Sequence, residues 1–301
     1  MTEMKTKNIQ MVHGINEQSI LEKLKSYKRT PGSFLLFLLV GLAAVITFLS
    51  LFFLVGYILI NGIPYLSLDL FSLKYTTENV SLMPAVINTL IMTAIALIIA
   101  VPIGICSAVY LVEYAKRDNK FVGMIRLTTE TLSGIPSIVY GLFGFLFFVT
   151  TLGWGLSLLA GACTMAIMIL PLVMRTTEEA LKSVSDSYRE GSFGLGAGRL
   201  RTVVHIVLPS AMPGILAGII LAIGRIVGET AALMFTAGTL AEVPKDLFSS
   251  GRTLALHMYA LSSEGLHTEK AFATAVVLLI IVIIINWISS KVAKKIGKNS
   301  V

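Results

Sequence analysis

Residues 190–209 read EGSFGLGAGRLRTVVHIVLP and lie between two long apolar runs. Glycines at 191, 194, 196 and 198 predict a flexible turn, because glycine takes left-handed backbone without a steric penalty. Arg199 and Arg201 open a short run of helical period that Pro209 is expected to stop. Just upstream, Thr176–Glu179 has the spacing of a capping box. Leu181, Val184 and Tyr188 then recur at helical spacing, with Glu178, Lys182, Asp186 and Arg189 on other faces. Residues 176–210 therefore predict a helix–turn–helix lying against a membrane, with one apolar edge and exposed charges. That pattern suits either an ordinary amphipathic surface helix or a docking surface for another protein.

The chain has 301 residues, 55% hydrophobic and 14% charged, with a mean hydropathy of +0.83. Such a composition belongs to a polytopic all-α membrane protein. About 20 apolar residues are needed to cross a hydrocarbon core as a helix. Six runs qualify, at roughly 34–60, 84–112, 132–153, 155–175, 211–240 and 271–290. The net charge of +7 would suggest nucleic acid in a soluble domain. Here the basic residues crowd the edges of apolar runs, which points to membrane lipid and orientation instead.

With the N-terminus inside, the segments 1–33, 113–131, 175–210 and 291–301 hold 19 of the 24 Lys and Arg, and the outer segments hold four. Both termini and the 190–209 loop are thus expected to face the cytoplasm. The division expected is a cytoplasmic N-terminal tail (1–33), a first span with its outer loop (34–82), a main membrane domain (83–290) containing the loop 176–210, and a basic tail (291–301). None of the outer loops is long enough to fold as a substrate-capturing domain. Cys106 and Cys163 sit inside apolar runs and read as small packing residues.

Only the fifth run carries charges at mid-length, Arg225 and Glu229. Arg225 lies 16 residues beyond Pro209, which is about 24 Å along a helix. A lone arginine at that depth costs about 2.5–3.5 kcal/mol. Glu229, four residues on, is expected to pair with it on one face. Gly214, Gly218 and Ala222 continue that face, and Gly214/Gly218 and Gly224/Gly228 both have the spacing of close helix contacts. Two readings follow. The pair locks helices together, or it lines a path for an anion, with Arg225 giving a planar donor fork to phosphate-like oxygens and Glu229 holding it. A permanently paired arginine would suit transient passage better than tight binding.

Several strings carry a resemblance. Importer permeases of the ATP-binding-cassette (ABC) class have a cytoplasmic signature of Glu-Ala-Ala, three residues, Gly, nine residues, then Ile-x-Leu-Pro. Glu190, Gly191, Ser192, Gly196, Ile206, Leu208 and Pro209 match its spacing throughout. Gly-Ser stands where Ala-Ala is usual, so the first helix is expected to end earlier. Gly224-Arg225-Ile226-Val227-Gly228-Glu229-Thr230-Ala231, Gly134-Ile135-Pro136-Ser137-Ile138-Val139-Tyr140-Gly141 and Tyr110-Leu111-Val112-Glu113-Tyr114 resemble the phosphate-specific ABC permeases, the first in the form of their A subunit.

The resemblance covers about 83–290. It implies the type I ABC importer permease fold, with six spans and a cytoplasmic coupling helix between the fourth and fifth, in a bacterial or archaeal plasma membrane. It also implies a heterodimer with a sister permease, two ATPase subunits that bind ATP and Mg, and an external phosphate-binding protein. Carried over are Arg225, Glu229 and Thr230 for the path, and the 190–209 loop for ATPase coupling. Arg175 resembles a basic position of the same family, or is a plain positive-inside anchor.

No enzyme motif competes. The chain has no G-x-x-x-x-G-K-[ST] loop, so no ATPase site of its own is expected. The glycines at 194, 196 and 198 lack dinucleotide spacing. His13, His205, His257 and His267 are scattered, read as surface or interface residues, and form no metal or triad constellation. The alternatives are a permease for another oxyanion such as sulfate or molybdate, and an ion-gradient-driven anion carrier in which Glu229 titrates.

Overall fold

A computed structural model of the chain describes residues 31–116 and 119–298. The expected N-terminal tail up to residue 30, with His13, and the last three residues of the basic tail lie outside the described residues. The chain divides into two units, Met1–Tyr57 and Ile58–Val301. Over its described residues the first unit is one helix, α1 (Pro31–Gly62), which runs on into the second unit. The stretch Gly32–Tyr65 has a mean hydropathy of 2.8 and no charged residue.

The second unit continues with two short 3-10 turns, Ile63–Tyr65 and Leu68–Phe71, and then helices only. These are α2 (Met83–Val109), α3 (Lys120–Ser133), α4 (Ser137–Gly144), α5 (Leu158–Lys182), α6 (Asp186–Gly194), α7 (Arg199–Val227), α8 (Ala231–Thr236), α9 (Leu254–Glu264) and α10 (Thr268–Lys298). Wide π turns extend α2 through Tyr110–Tyr114 and α4 through Phe145–Thr151. Five helices are long and apolar enough to cross a membrane, and a sixth span arises if the bent pair α3–α4 is counted as one.

Four sequence expectations change here. The run 132–153 does not make one straight span. α3 and α4 meet at 101°, because Pro136 has no N–H and biases Ile135 away from helix. Tyr140 then donates its hydroxyl to the Leu132 carbonyl at 2.8 Å, tying the two arms. Second, Thr176 begins no helix. α5 passes straight through it, and its hydroxyl donates back to Leu172 O at 2.9 Å; the cap lies later, at Ser185.

Third, Pro209 stops nothing. α7 runs from Arg199 to Val227, with a π turn at Val203–Val207 just before the proline. The wide turn relieves the clash between the proline ring and the preceding carbonyls. Fourth, the run 211–240 is interrupted, since α7 ends at Val227 and α8 begins at Ala231.

α5 is the centre of the second unit, with 61% of its apolar window buried against 28% for α2 and for α7. α2 meets it with a stripe of small residues, Ala96, Ala100, Gly104 and Ala108, recurring every turn. A Cβ on Gly104 would come within 2.8 Å of Val173. α7 meets α5 through Gly214, where a Cβ would lie 2.7 Å from Ala180 Cβ, and through Gly218, which Thr176 Oγ1 crowds. The expected close contact at Gly214/Gly218 is therefore made. The Gly224/Gly228 pair makes none within the described residues. Three of the four apolar clusters among the described residues lie along the bundle. One centred on Leu181 and Val207 lies at the loop end, one on Met165 and Ile169 in the middle, and one on Leu70, Leu82 and Leu254 at the far end.

At the far end, Arg252 is buried and lies 4.9 Å from the Tyr75 ring centre, while His257 meets the same ring edge-on. His257, expected at a surface or an interface, is fully buried on α9. Burial, reinforced by the Arg252 charge and opposed by a backbone contact at Val80, lowers its pKa from 6.5 to about 3.

Two outcomes follow. Gly141 on α4 faces the α8 backbone, where a Cβ would lie 2.7 Å from Ala232 Cα and 3.0 Å from its carbonyl oxygen. Gly141→Leu should lower thermal stability in detergent by about 1–3 kcal/mol or more, whereas Gly123→Ala, where a Cβ meets nothing, should leave it unchanged or higher; equal melting curves contradict the packing. His257 binds a proton near pH 6.5 when unfolded and only near 3 when folded. Stability should be full above pH 6.5 and fall below it, by about 2 kcal/mol at pH 5. His257→Gln should flatten that slope between pH 7 and 5.

Candidate functional site

The site is built around the interruption between α7 and α8. Gly228 ends α7, donating to Gly224 O at 3.2 Å, and Glu229 N donates to Ile226 O at 3.1 Å. The chain then turns, and Thr230 precedes α8 with φ −125° and ψ −52°. The Glu229 carboxylate accepts from Ala232 N at 3.2 Å, so it caps α8 and places a negative charge where the helix dipole favours one. Because the helix stops at Gly228, Glu229 leaves the face that carries Arg225. No ion pair joins Arg225 to Glu229 among the described residues. The expected pair is replaced by two separate helix-end arrangements, and the argument from a permanently paired arginine to weak binding loses its premise.

Arg225 sits half-buried in the last turn of α7, where the negative end of the helix dipole favours a cation. Its charge acts on the Tyr140 hydroxyl of α4. It has no hydrogen-bond acceptor and no carboxylate partner among the described residues. The guanidinium donors are therefore available to an oxyanion. The break itself is held closed from the α4 side by the contact of Gly141 with the α8 backbone.

Thr230 is half-buried beside this break and also borders a cavity of about 800 Å³ lined by Ile138, Met234, Phe235, Tyr259 and Phe272. That cavity is apolar and neither Arg225 nor Glu229 lines it, so it is not the place for an anion. Arg175 is exposed at the loop end of α5, bonded through Nε to Glu179 Oε1 at 3.0 Å. Its neighbour Thr176 packs on Gly218, seven residues before Arg225, so the two arginines lie about 10 Å apart along α7. Arg175 lines instead a polar recess with Arg126, Glu130, Glu178 and Lys182.

The 190–209 segment forms a helical hairpin. α6 runs through Gly191 and Ser192 to Gly194, so the Gly-Ser replacement does not shorten it. Gly196 turns the chain with φ +83°, a backbone state that only glycine takes without strain. Buried Ser192 and Thr202 join the two arms by a hydroxyl–hydroxyl bond of 2.8 Å. Glu190 and Gly191 are exposed, and Ile206, Leu208 and Pro209 are half-buried at the root of the second arm. Tyr188 and Leu195 border a recess of about 570 Å³, and Phe193 and Leu200 are exposed elsewhere on the hairpin. An exposed apolar rim on a polar hairpin marks an interaction surface.

Two features escaped the sequence reading. His257 is buried by a tertiary contact with Tyr75 that no local period signals. Arg189, read as an exposed charge, pairs with Glu113 from 76 residues away.

Comparison with known proteins agrees with this architecture. The binding-protein-dependent transport system inner membrane component family matches residues 100–298. The probable ABC transporter permease protein YqgI of Bacillus subtilis (strain 168) is 35% identical over 281 residues, 86% of this chain and 95% of that protein. The phosphate transport system permease protein PstA of Pasteurella multocida (strain Pm70) is 35% identical over 243 residues, 75% of this chain and 81% of that one. Among solved structures, a bacterial alginate ABC transporter in complex with an alginate pentasaccharide-bound periplasmic protein superposes with a TM-score of 0.67 at 14% identity, over 90% of this chain and 98% of that one. The MetNI methionine ABC transporter in an inward-facing conformation superposes with a TM-score of 0.58 at 19% identity, over 71% and 93%. The fold is that of the type I ABC importer permeases, and the chain belongs to the family of binding-protein-dependent transport system inner membrane components.

Proposed function

We propose that this chain is a permease subunit of an ATP-driven importer and forms half of the membrane path for inorganic phosphate. The observation that carries the cargo is Arg225. It is a half-buried guanidinium at the end of a membrane helix, beside a backbone break, with no carboxylate partner among the described residues. Leaving such a charge without an anion is unfavourable in a low-dielectric layer. A phosphate oxygen pair fits its planar fork. Relatives that carry phosphate transport in their names support this choice over sulfate or molybdate.

The remaining parts take roles by position. Both termini and the hairpin face the cytoplasm, as the distribution of Lys and Arg requires. Glu190, Gly191, Ser192, Gly196, Ile206, Leu208 and Pro209 belong to the hairpin that docks an ATPase subunit, the exposed rim of Leu195 and Leu200 entering its groove. ATP and Mg are bound by two such subunits, and this chain hydrolyses nothing itself. A sister permease completes the path, and an external binding protein delivers phosphate. Glu229 fixes the backbone of the break next to Arg225 by capping α8, Thr230 lies in the same break, and Arg175 lies nearer the cytoplasmic exit. Closure of the ATPase pair moves the hairpins and switches which side the break faces.

The test is phosphate uptake into proteoliposomes carrying the full complex. Wild type should need ATP and ignore a collapsed proton gradient, and sulfate should not compete. Arg225→Gln should lower uptake at least tenfold, the scale of one lost charged hydrogen bond of about 1.5–3 kcal/mol, with all subunits still co-purifying. Uptake without ATPase subunits, or an Arg225→Gln complex that fails to assemble, contradicts the reading.

A further inference from the structure

The string Tyr110–Tyr114 forms the wide last turn of α2, closed by Ala115 N donating to Tyr110 O at 2.9 Å. Both arms of the hairpin reach it. From α6, Arg189 donates through Nη2 to Glu113 Oε1 at 2.7 Å and through Nε to the same oxygen at 3.2 Å. Its Nη1 also donates to Val184 O at 2.7 Å and Nη2 to Leu181 O at 3.0 Å, binding the joint between α5 and α6. Asp186 adds a longer contact at 3.2 Å. From the start of α7, the Arg199 guanidinium lies 5.7 Å from the Tyr114 ring centre.

This pair differs from the other described ion pairs. Those of Arg175 and Lys182 are local, four residues apart, and at least one partner of each is more than half exposed. Arg126 and Glu178 also link two helices, α3 and α5, but Arg126 is 40% exposed and neither residue belongs to the hairpin. Arg189 and Glu113 are 14% and 8% exposed and link two helices 76 residues apart. A buried pair with its donors filled holds a fixed geometry, and removing one partner leaves an uncompensated charge. α6 has a covalent route to α5 and to α7 but none to α2. The Glu113–Arg189 contact is its direct tie to that helix, whose small-residue stripe packs along α5.

We propose that Glu113 and Arg189 form a strut that passes movement of the hairpin to α2, with Arg199 on Tyr114 steadying the second arm. α6 and the end of α2 then move as one body, and α2 and α7, both packed on α5, are driven from a single docking event. This rests on the reading that the 190–209 hairpin docks an ATPase. Glu113 and Arg189 are positioning residues and touch no substrate.

In proteoliposomes with the whole complex, Glu113→Gln and Arg189→Gln should each lower phosphate moved per ATP hydrolysed at least tenfold while ATPase subunits still co-purify. In a chain with Cys106→Ser and Cys163→Ser, the further changes Glu113→Cys and Arg189→Cys should leave the reduced protein uncoupled. Joining the two thiols with a short bis-thiosulfonate spacer should restore coupling, which a merely structural role would not do. Single variants within twofold of wild type, or a joined pair that stays uncoupled or unassembled, overturn the strut. A wild-type complex that imports no phosphate refutes the functional reading instead. The strut is then judged by whether joining restores binding-protein-stimulated ATP hydrolysis.

Discussion

Backbone groups inside a hydrocarbon layer have no water to bond, so every interruption of a membrane helix must be satisfied by the protein itself. The second unit of this chain has two such interruptions, at Gly134–Pro136 and at Gly228–Thr230. Both are closed by side chains of the same neighbourhood: the Tyr140 hydroxyl takes Leu132 O, and the Glu229 carboxylate takes Ala232 N. Gly141 lets α4, which follows the first break, and α8, which follows the second, touch backbone to backbone. Arg225 sits at the edge of this arrangement, in the last turn of α7 before the second break.

Much of the fold was legible because membrane spans are written in composition. Four of the six runs correspond to helices with only modest shifts at their ends, and the close approach of α7 to α5 at Gly214 and Gly218 was visible as spacing alone. What was not legible lies where tertiary contact overrides a local signal. Thr176 looks like a cap, but its hydroxyl bonds back to Leu172 and its Oγ1 and Cβ pack on Gly218, so the helix continues. Pro209 looks like a stop, but a π turn absorbs it. In the site, Arg225 and Glu229 were found by their charge. Their separation was not, because a run that is apolar from 211 to 240 hides the break at Gly228.

The hairpin and the break act at different levels. The hairpin fixes the kind of machine, since its turn at Gly196 and the Ser192–Thr202 bond make a rigid projection with an apolar rim. It carries no information about cargo. In the function we propose, the cargo depends on a single guanidinium whose counter-charge, among the described residues, is only the end of a helix dipole. Between the two stands α5, which α2 and α7 flank with continuous apolar packing.

The most direct measurement asks whether the charge at position 225 is what the path needs. In a background of Cys106→Ser and Cys163→Ser, the Arg225→Cys complex would be assayed for ATP-driven phosphate uptake after treatment with a thiol reagent that leaves an ammonium, or with one that leaves a sulfonate. The account predicts that the ammonium restores a substantial share of uptake and the sulfonate restores none. Equal effects of the two reagents, or a complex indifferent to both, would contradict it.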